Sequence, residues 1–391
     1  MESFTADQAA AFRLARQHLG GRSAEAVALR RGRSAKAVAL GERIPDIVRD
    51  TAGVQAQVMS AAEMAIWARQ HAATRGGIQR ALWDTRDLVK TSAMRLTLHV
   101  IPARDFAVYI EALKPMAAAT LQRWHARVGA DPKTIQTLVD TVVGALRDEG
   151  PQTQQELIAR ARKRAGPGVR AWLDHAWSAV RPAVIEGAIV YGPPRGAEAT
   201  FVHAETWLGR QPRVRVDDAR AELMRRFLAA FGPASPHDFA KWSGLKTTDA
   251  KSILAAIDDD VVEVRVEDAR GWMLRRDLDT IAACRLDRDA VRLLPAFDSF
   301  LLAHATKAHL VDARFYKRVY RPQGWISPVV LQAGRIVGVW FQKAAGRQVT
   351  LDVQLFARAS AHLRESIAAE ADALSAFIEA RCTPRFTRVS S

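Results

Sequence analysis

The sequence predicts an α+β fold that is mainly α. Three similar helix-rich units stand in tandem, followed by a small antiparallel β domain and a C-terminal helix. Two observations predict this. Helix, helix, helix and β-hairpin recur in that order along residues 1–284. From about Asp287 the chain changes to alternating apolar residues broken by turn signals.

Residues 1–128 are the most decorated copy. They offer the helical stretch FTADQAAAFRLARQHL, the short IPDIVRDTAG, the longer MSAAEMAIWARQ and the strand pair LVKTSAM and LTLHVIP. An inserted segment near 21–40 nearly repeats RSAEAVAL as RSAKAVAL and clusters Arg30, Arg31, Arg33 and Lys36. That cluster reads either as a phosphate track or as a solvated insertion.

Residues 129–212 show the pattern most clearly. Ile135, Leu138, Val142 and Leu146 share one helical face, and Thr153 with Glu156 three residues on has capping-box spacing. A further helix follows a Gly-Pro-Gly turn, and AIVYGPPRGAEATFVHAETWL reads as two strands about a Pro-Pro-Arg-Gly turn. Residues 213–284 repeat the order, with Ser235 placed to cap a helix, Pro236 in its first turn, and VVEVRVEDARGWMLRR as the hairpin. In residues 285–391, SPVVLQAGRIVGVWFQKAAGRQVTLDVQLF predicts antiparallel strands. ARASAHLRESIAAEADALSAFIEAR predicts a long helix, and TPRFTRVSS reads as a fraying basic tail, so the core ends near Arg381.

Three helices followed by a hairpin is the layout of a winged helix, so the prediction is three tandem winged-helix domains. The 57 Lys and Arg against 42 Asp and Glu leave a formal charge of +15, which favours a polyanion through phosphate neutralisation. Such a fold offers a helix to a groove and a hairpin to the backbone, which points to double-stranded DNA. Winged helices also serve as protein-interaction modules, and a basic balance also arises in arginine-rich proteomes. Cys284 and Cys382 are far apart and have no Cys or His at ligand spacing, so neither a disulfide, a metal nor another cofactor is expected. The N-terminus lacks the pattern of a secretion signal, and no apolar run approaches the ~20 residues of a membrane span. The expectation is a cytoplasmic, nucleoid-associated monomer with no membrane partner.

The sign of enzyme activity is TAGVQAQVMSAAEMAIWAR, where Gln55 and Gln57 alternate with Val54, Ala56 and Val58 just before a helix. In an extended stretch both amides share a face. Two carboxamides orient a water and hydrogen-bond a sugar or base edge without adding charge. As weak bases they suffice only for an activated leaving group, such as an N7-alkylated purine whose positive charge weakens the glycosidic bond. Without a wider context, two glutamines at this spacing are usually surface or capping residues.

VQAQ before a helix, AMRLTLHVIPARDF, LLPAFDSFLL and RVYRPQGWISPVVLQAGRIVGVW together resemble the AlkZ-like winged-helix DNA glycosylases over nearly the whole chain. The resemblance implies three tandem winged helices and a C-terminal β domain around a duplex. It also implies excision of N7-alkylated bases, with unhooking of interstrand crosslinks in some members. The family's Gln-apolar-Gln element falls on Gln55, Ala56 and Gln57. On that reading Gln57 positions the attacking water, and Gln55 stabilises the sugar's developing charge or holds the lesion-bearing nucleotide. The 21–40 insertion and the small Ala56 depart from the family pattern. A non-catalytic winged-helix transcription regulator is the alternative.

Candidate DNA-binding residues are Arg95 and His99 in the first hairpin, Arg195 and Arg270 at the next two turns, and Arg275 with Arg276 beyond. A packed strand histidine and solvated turn arginines are the competing readings. Asp298 in AFDSF is a candidate base or a turn cap. His304, Lys307 and His309 lack a companion ligand set, so no metal is expected there.

Overall fold

The computed structural model describes residues 1–20, 44–70, 72–129, 131–147, 149–173, 176–346 and 348–388. The 21–40 insertion, with Arg30, Arg31, Arg33 and Lys36, lies outside the described residues. Two compact units emerge. The first contains Met1–Ile78, Met224–Trp242 and Thr247–Ser391, and the second Gln79–Leu223 with Ser243–Lys246.

In the first unit, strand β1 (Glu2–Phe4) leads into helix α1 (Ala6–Arg16), whose N-terminus carries a capping box made by Thr5 and Gln8. Helix α2 (Ile44–Asp50), the two-residue strand β2 (Val54–Gln55) and helix α3 (Met59–Trp67) follow. Every residue of α3 from Ala61 to Trp67 is buried, and the Trp67 ring stacks on Phe377 at 5.8 Å between centroids.

In the second unit a helical turn at Arg80–Asp84 leads to strands β3 (Leu88–Ser92) and β4 (Leu98–Pro102), an antiparallel hairpin, and then to the long helix α4 (Phe106–Val128). Helix α5 (Pro132–Leu146) buries the expected face, with Ile135 3 % exposed and Leu138, Val142 and Leu146 fully covered. Strand β5 (Gln152–Thr153) runs into helix α6 (Gln154–Arg164), where the Thr153–Glu156 capping box is formed. Helices α7 (Pro167–Leu173) and α8 (Ala176–Ile185) complete a shared core with Leu157, Val180 and Phe201. Strands β6 (Ile189–Arg195) and β7 (Glu198–His203) close the unit, and its strands run in the order β4-β3-β6-β7-β5. The turn lies two residues later than the sequence suggests, at Gly196–Ala197. Pro193 and Pro194 sit in β6 at a register shift, where the ladder does not require their missing N–H.

After helix α9 (Val216–Phe231), helix α10 (Pro236–Ser243) starts at the expected cap. The Asp238 amide donates to Ser235 Oγ at 3.2 Å and the Ser235 amide to Asp238 Oδ2 at 2.8 Å. Within the first unit Phe227, Phe231, Phe239 and Trp242 form one aromatic cluster with centroids 5.1–6.1 Å apart. Helix α11 (Thr247–Ala255) precedes strands β8 (Val261–Val266) and β9 (Ala269–Leu274). β1 pairs in parallel with β8, so the first residues of the chain share a core with this hairpin through Phe4, Phe12, Val264, Met273 and Ile281.

A five-stranded sheet ends the chain. It runs β10 (Val291–Leu294), β11 (Val329–Gln332), β12 (Arg335–Ala345), β13 (Gln348–Leu355) and β14 (Arg381–Arg388) in order. The first four are antiparallel neighbours, as expected. The tail expectation is corrected: residues 381–388 do not fray but pair in parallel with β13 at eight positions, and Cys382 is 4 % exposed. Helix α12 (Ala361–Ile378) is the crossover that a parallel pair requires. Pro384 and the arginines disguise this strand, but an edge position tolerates both.

Candidate active site

The glutamine pair sits between two helices of the first unit. α2 ends as Ala52 turns left-handed at φ 53° and Gly53 follows at φ 92°. The Ala52 amide donates to the Arg49 carbonyl and the Gly53 amide to that of Val48, both at 2.9 Å. Such a cap satisfies the last carbonyls of the helix and reverses the chain. β2 carries Gln55 outward from it, and α3 begins two residues past Gln57.

Gln55 is 9 % exposed, Ala56 is fully buried and Gln57 is exposed. The simple alternation expected for this stretch therefore breaks after Ala56. Val58, assigned by period to the inward face, is 38 % exposed beside Gln57.

What fixes this segment is the AFDSF motif. The Ser299 hydroxyl donates to the Gly53 carbonyl at 2.9 Å, gripping the chain just before the glutamines. Asp298 accepts two hydrogen bonds from Arg69, at 2.7 and 2.8 Å, and a third from the Phe300 amide at 2.9 Å. Arg69 lies just beyond α3 and also donates to the Ala65 carbonyl at 2.8 Å and to Gln17 Oε1 at 3.1 Å. Consecutive residues 298 and 299 thus hold both the entry to the motif and the exit of the helix after it. Asp298 caps its turn, as one of the two sequence readings has it. Its side chain is fully enclosed and paired, which makes it an anchor and not a base. Arg69 and Ser299 were not singled out from sequence; the only available signal was an Asp-Ser pair following a strand.

Arg95 and His99 lie in the second unit. Arg95 and Leu96 are consecutive left-handed residues, φ 57° and 55°, at the tip of the β3–β4 hairpin. Non-glycine residues hold this conformation only where the surroundings impose it. Gly244 is part of that surrounding: at φ 91°, a Cβ there would lie 3.0 Å from the Arg95 Cα. Burial pushes the Arg95 guanidinium down to about 10, which leaves it charged at neutral pH. His99 is 2 % exposed; burial first, then the Arg95 charge, lower it to about 3, against the hydrogen bond with the Thr97 carbonyl. Its Nδ1 lies 2.9 Å from that oxygen, so the ring is neutral and Nδ1–H is the donor.

Two of the hairpin arginines are engaged internally. Arg195 pairs with Glu156 at 2.5 Å and donates to the Pro151 carbonyl at 2.8 Å. Arg275 braces the carbonyls of Asp259 and Val261. The Arg270 side chain is 70 % exposed, against 55 % for Arg195, and lies 3.7 Å from Glu263.

His304 and His309 pack edge to face at 4.8 Å. Burial and the charges of Arg13 and Lys307 lower both, His309 to about 3. Lys307 donates to the carbonyls of Leu301 and His304. Among the described residues no group of three or more His, Cys, Asp or Glu is placed to hold a metal ion, and no helix is long and apolar enough to cross a membrane.

Comparison with known proteins places this architecture among the DNA glycosylases. The family model described as DNA glycosylase AlkZ-like matches residues 48–377. The chain belongs to the AlkZ-like DNA glycosylase family. It is 33 % identical over 307 residues to the interstrand DNA cross-link repair glycosylase of Streptomyces sahachiroi, covering 75 % of this chain and 81 % of that protein. The solved structure of the Streptomyces sahachiroi DNA glycosylase AlkZ superposes with a TM-score of 0.80 at 26 % identity, over all of both chains.

Proposed function

We propose that this protein hydrolyses the N-glycosidic bond of N7-alkylated purines in double-stranded DNA and unhooks interstrand crosslinks built on such bases. The observation that carries the reading is the Gln55-Ala56-Gln57 element, gripped by Ser299 at Gly53 in a chain of this family. Neutral amides suit a leaving group that already bears positive charge, because little proton transfer is then required. Gln57, the exposed member, positions the attacking water, and Gln55, largely buried, stabilises the charge developing on the sugar.

Neither amide forms an imine with the opened sugar, so the chemistry is that of a monofunctional glycosylase. The relative named for crosslink repair supports the wider substrate range. A base tied to both strands cannot leave the stack freely, so such an enzyme attacks it in place. The duplex is held by winged helices at 1–128, 129–212 and 213–284, with the β domain at 285–391, and the enzyme acts as a monomer.

The test is release of N7-methylguanine from a methylated duplex by the wild type and by the Gln55→Ala, Gln57→Ala double variant, at matched DNA affinity. Release by the wild type that vanishes in the variant supports the reading. No release from this or a crosslinked duplex by the wild type overturns it and leaves a non-catalytic DNA-binding regulator.

A further inference from the structure

Among the described residues the large hydrophobic side chains left exposed are Met1, Val58, Tyr316 and Trp325. Apart from the chain start they fall in two places. Val58 abuts Gln57, and Tyr316 and Trp325 bound the segment YKRVYRPQGW. Tyr316 is 43 % exposed and Trp325 46 %. Lys317, Arg318 and Arg321 lie between them, all exposed. Single exposed apolar residues need no explanation, but aromatics interleaved with cations form the pattern that binds bases and phosphates together.

The segment is tied down by hydrogen bonds. The Tyr320 hydroxyl donates to the Leu301 carbonyl at 3.0 Å, the Arg321 amide to that of Trp325 at 2.8 Å, and the Ser327 hydroxyl to that of Arg318 at 2.9 Å. Gln323 and Gly324 are both left-handed, φ 60° and 75°, and this tight turn presents the indole. Phe297, itself held at φ 60°, packs against Trp325 in a T-shaped pair with centroids 4.9 Å apart. Phe297 directly precedes Asp298 and Ser299, the pair that anchors Arg69 and Gly53. A continuous chain of contacts within one unit therefore runs from the exposed indole to the residue two before Gln55.

We infer that Tyr316–Trp325 is a DNA-contact surface beside the glutamine pair. In it Trp325 stacks on a base at the lesion, and Lys317, Arg318 and Arg321 take the flanking phosphates. This rests on the glycosylase reading for the word lesion, but not for the contact itself. Trp325 is a positioning residue: stacking on one side fixes the nucleotide sugar against the amides. The cations supply affinity without sequence preference.

Two measurements test it. Affinity for an undamaged duplex is followed against salt for the wild type and for the Lys317→Ala, Arg318→Ala, Arg321→Ala variant. Three lost phosphate contacts lower the slope of log affinity on log salt by about 2.7, at ~0.9 per contact. An unchanged slope overturns the phosphate assignment whether or not the protein is a glycosylase. Single-turnover base release is then compared for Trp325→Ala, Trp325→Leu and Trp325→Phe. Loss of a base stack slows release about tenfold or more in the Ala and Leu variants, with the salt slope unchanged and the Phe variant largely restored. 2-Aminopurine placed beside the lesion is quenched by wild type and by Trp325→Phe but not by Trp325→Leu. Equal release and quenching by the Leu and Phe variants overturns the stacking role. Absence of release by the wild type would instead fault the glycosylase reading, with salt slope and quenching still deciding the surface.

Discussion

Arg69 and Asp298 meet in a two-point ion pair, both side chains fully buried, that joins the end of α3 to the turn holding Ser299. Removing one partner strands a buried charge, at a cost of roughly 3–5 kcal/mol. We expect Asp298→Ala and Arg69→Ala each to lower stability by about that amount in urea unfolding. The combined change Arg69→Met, Asp298→Leu recovers part of the loss, because no unpaired charge remains. If the single changes are silent, the pair does not carry the motif.

Ser299 offers a subtler probe of the same platform. Ser299→Ala removes one buried hydrogen bond, worth about 1 kcal/mol, and leaves the Gly53 carbonyl to find another partner. Base release is expected to slow more than this loss of stability accounts for, because the bond orients the chain that carries the amides. Thermal unfolding and single-turnover kinetics on one preparation separate the two effects.

On the proposed mechanism, the pH dependence of base release follows from what the amides lack. Carboxamides do not titrate between pH 5 and 9, so single-turnover release from a methylated duplex is expected to be flat across that range. Gln57→Glu introduces a carboxylate close to water, and release should then fall on the acid side as the group is protonated. A bell-shaped wild-type profile would point to a titrating acid or base elsewhere.

Most of the element order was legible because it rests on periodicity and caps. Thr153 with Glu156 forms the box its spacing implies, Ser235 caps the helix it was placed to cap, and the face from Ile135 to Leu146 is buried. Three features were not legible, each for a physical reason. The pairing of β1 with β8 is a contact across some 260 residues that no local pattern encodes. β14 is disguised by a proline and arginines that only an edge strand accommodates. In the site, the amides were visible as a motif, but their support was not. Ser299 and Arg69 matter for where the fold places them, and a lone serine or arginine carries no such signal.

His99 provides a test of stability against pH. Its folded value is lowered to about 3 from an ordinary 6.5, so the unfolded chain binds the proton that the native ring refuses. Stability from this group is present above about pH 6.5 and is lost as pH falls from there towards about 3. Between pH 7.5 and 5 the loss is about 2 kcal/mol, at ~1.4 kcal/mol per pH unit below 6.5. His99→Gln should flatten that part of the curve, whatever its effect at neutral pH. Equal slopes for the two proteins in urea titrations would refute the assignment.

The terminal strand yields the sharpest contrast between the sequence expectation and the fold. A frayed basic tail contributes within about 0.5 kcal/mol, so its removal would pass unnoticed. β14 instead pairs along eight positions of β13 and buries Cys382. Ending the chain after Ala380 deletes that ladder and exposes β13 as a new edge, whose free N–H and C=O groups are a template for association. With net hydrogen-bond contributions near 1 kcal/mol each, we expect a loss on the order of 3 kcal/mol or more, together with concentration-dependent light scattering. A milder variant, Cys382→Asp, places a charge in the buried face while leaving the backbone ladder intact, and should lose stability without the same scattering. A truncated chain that unfolds at the wild-type urea midpoint and stays monodisperse would show that the strand is peripheral.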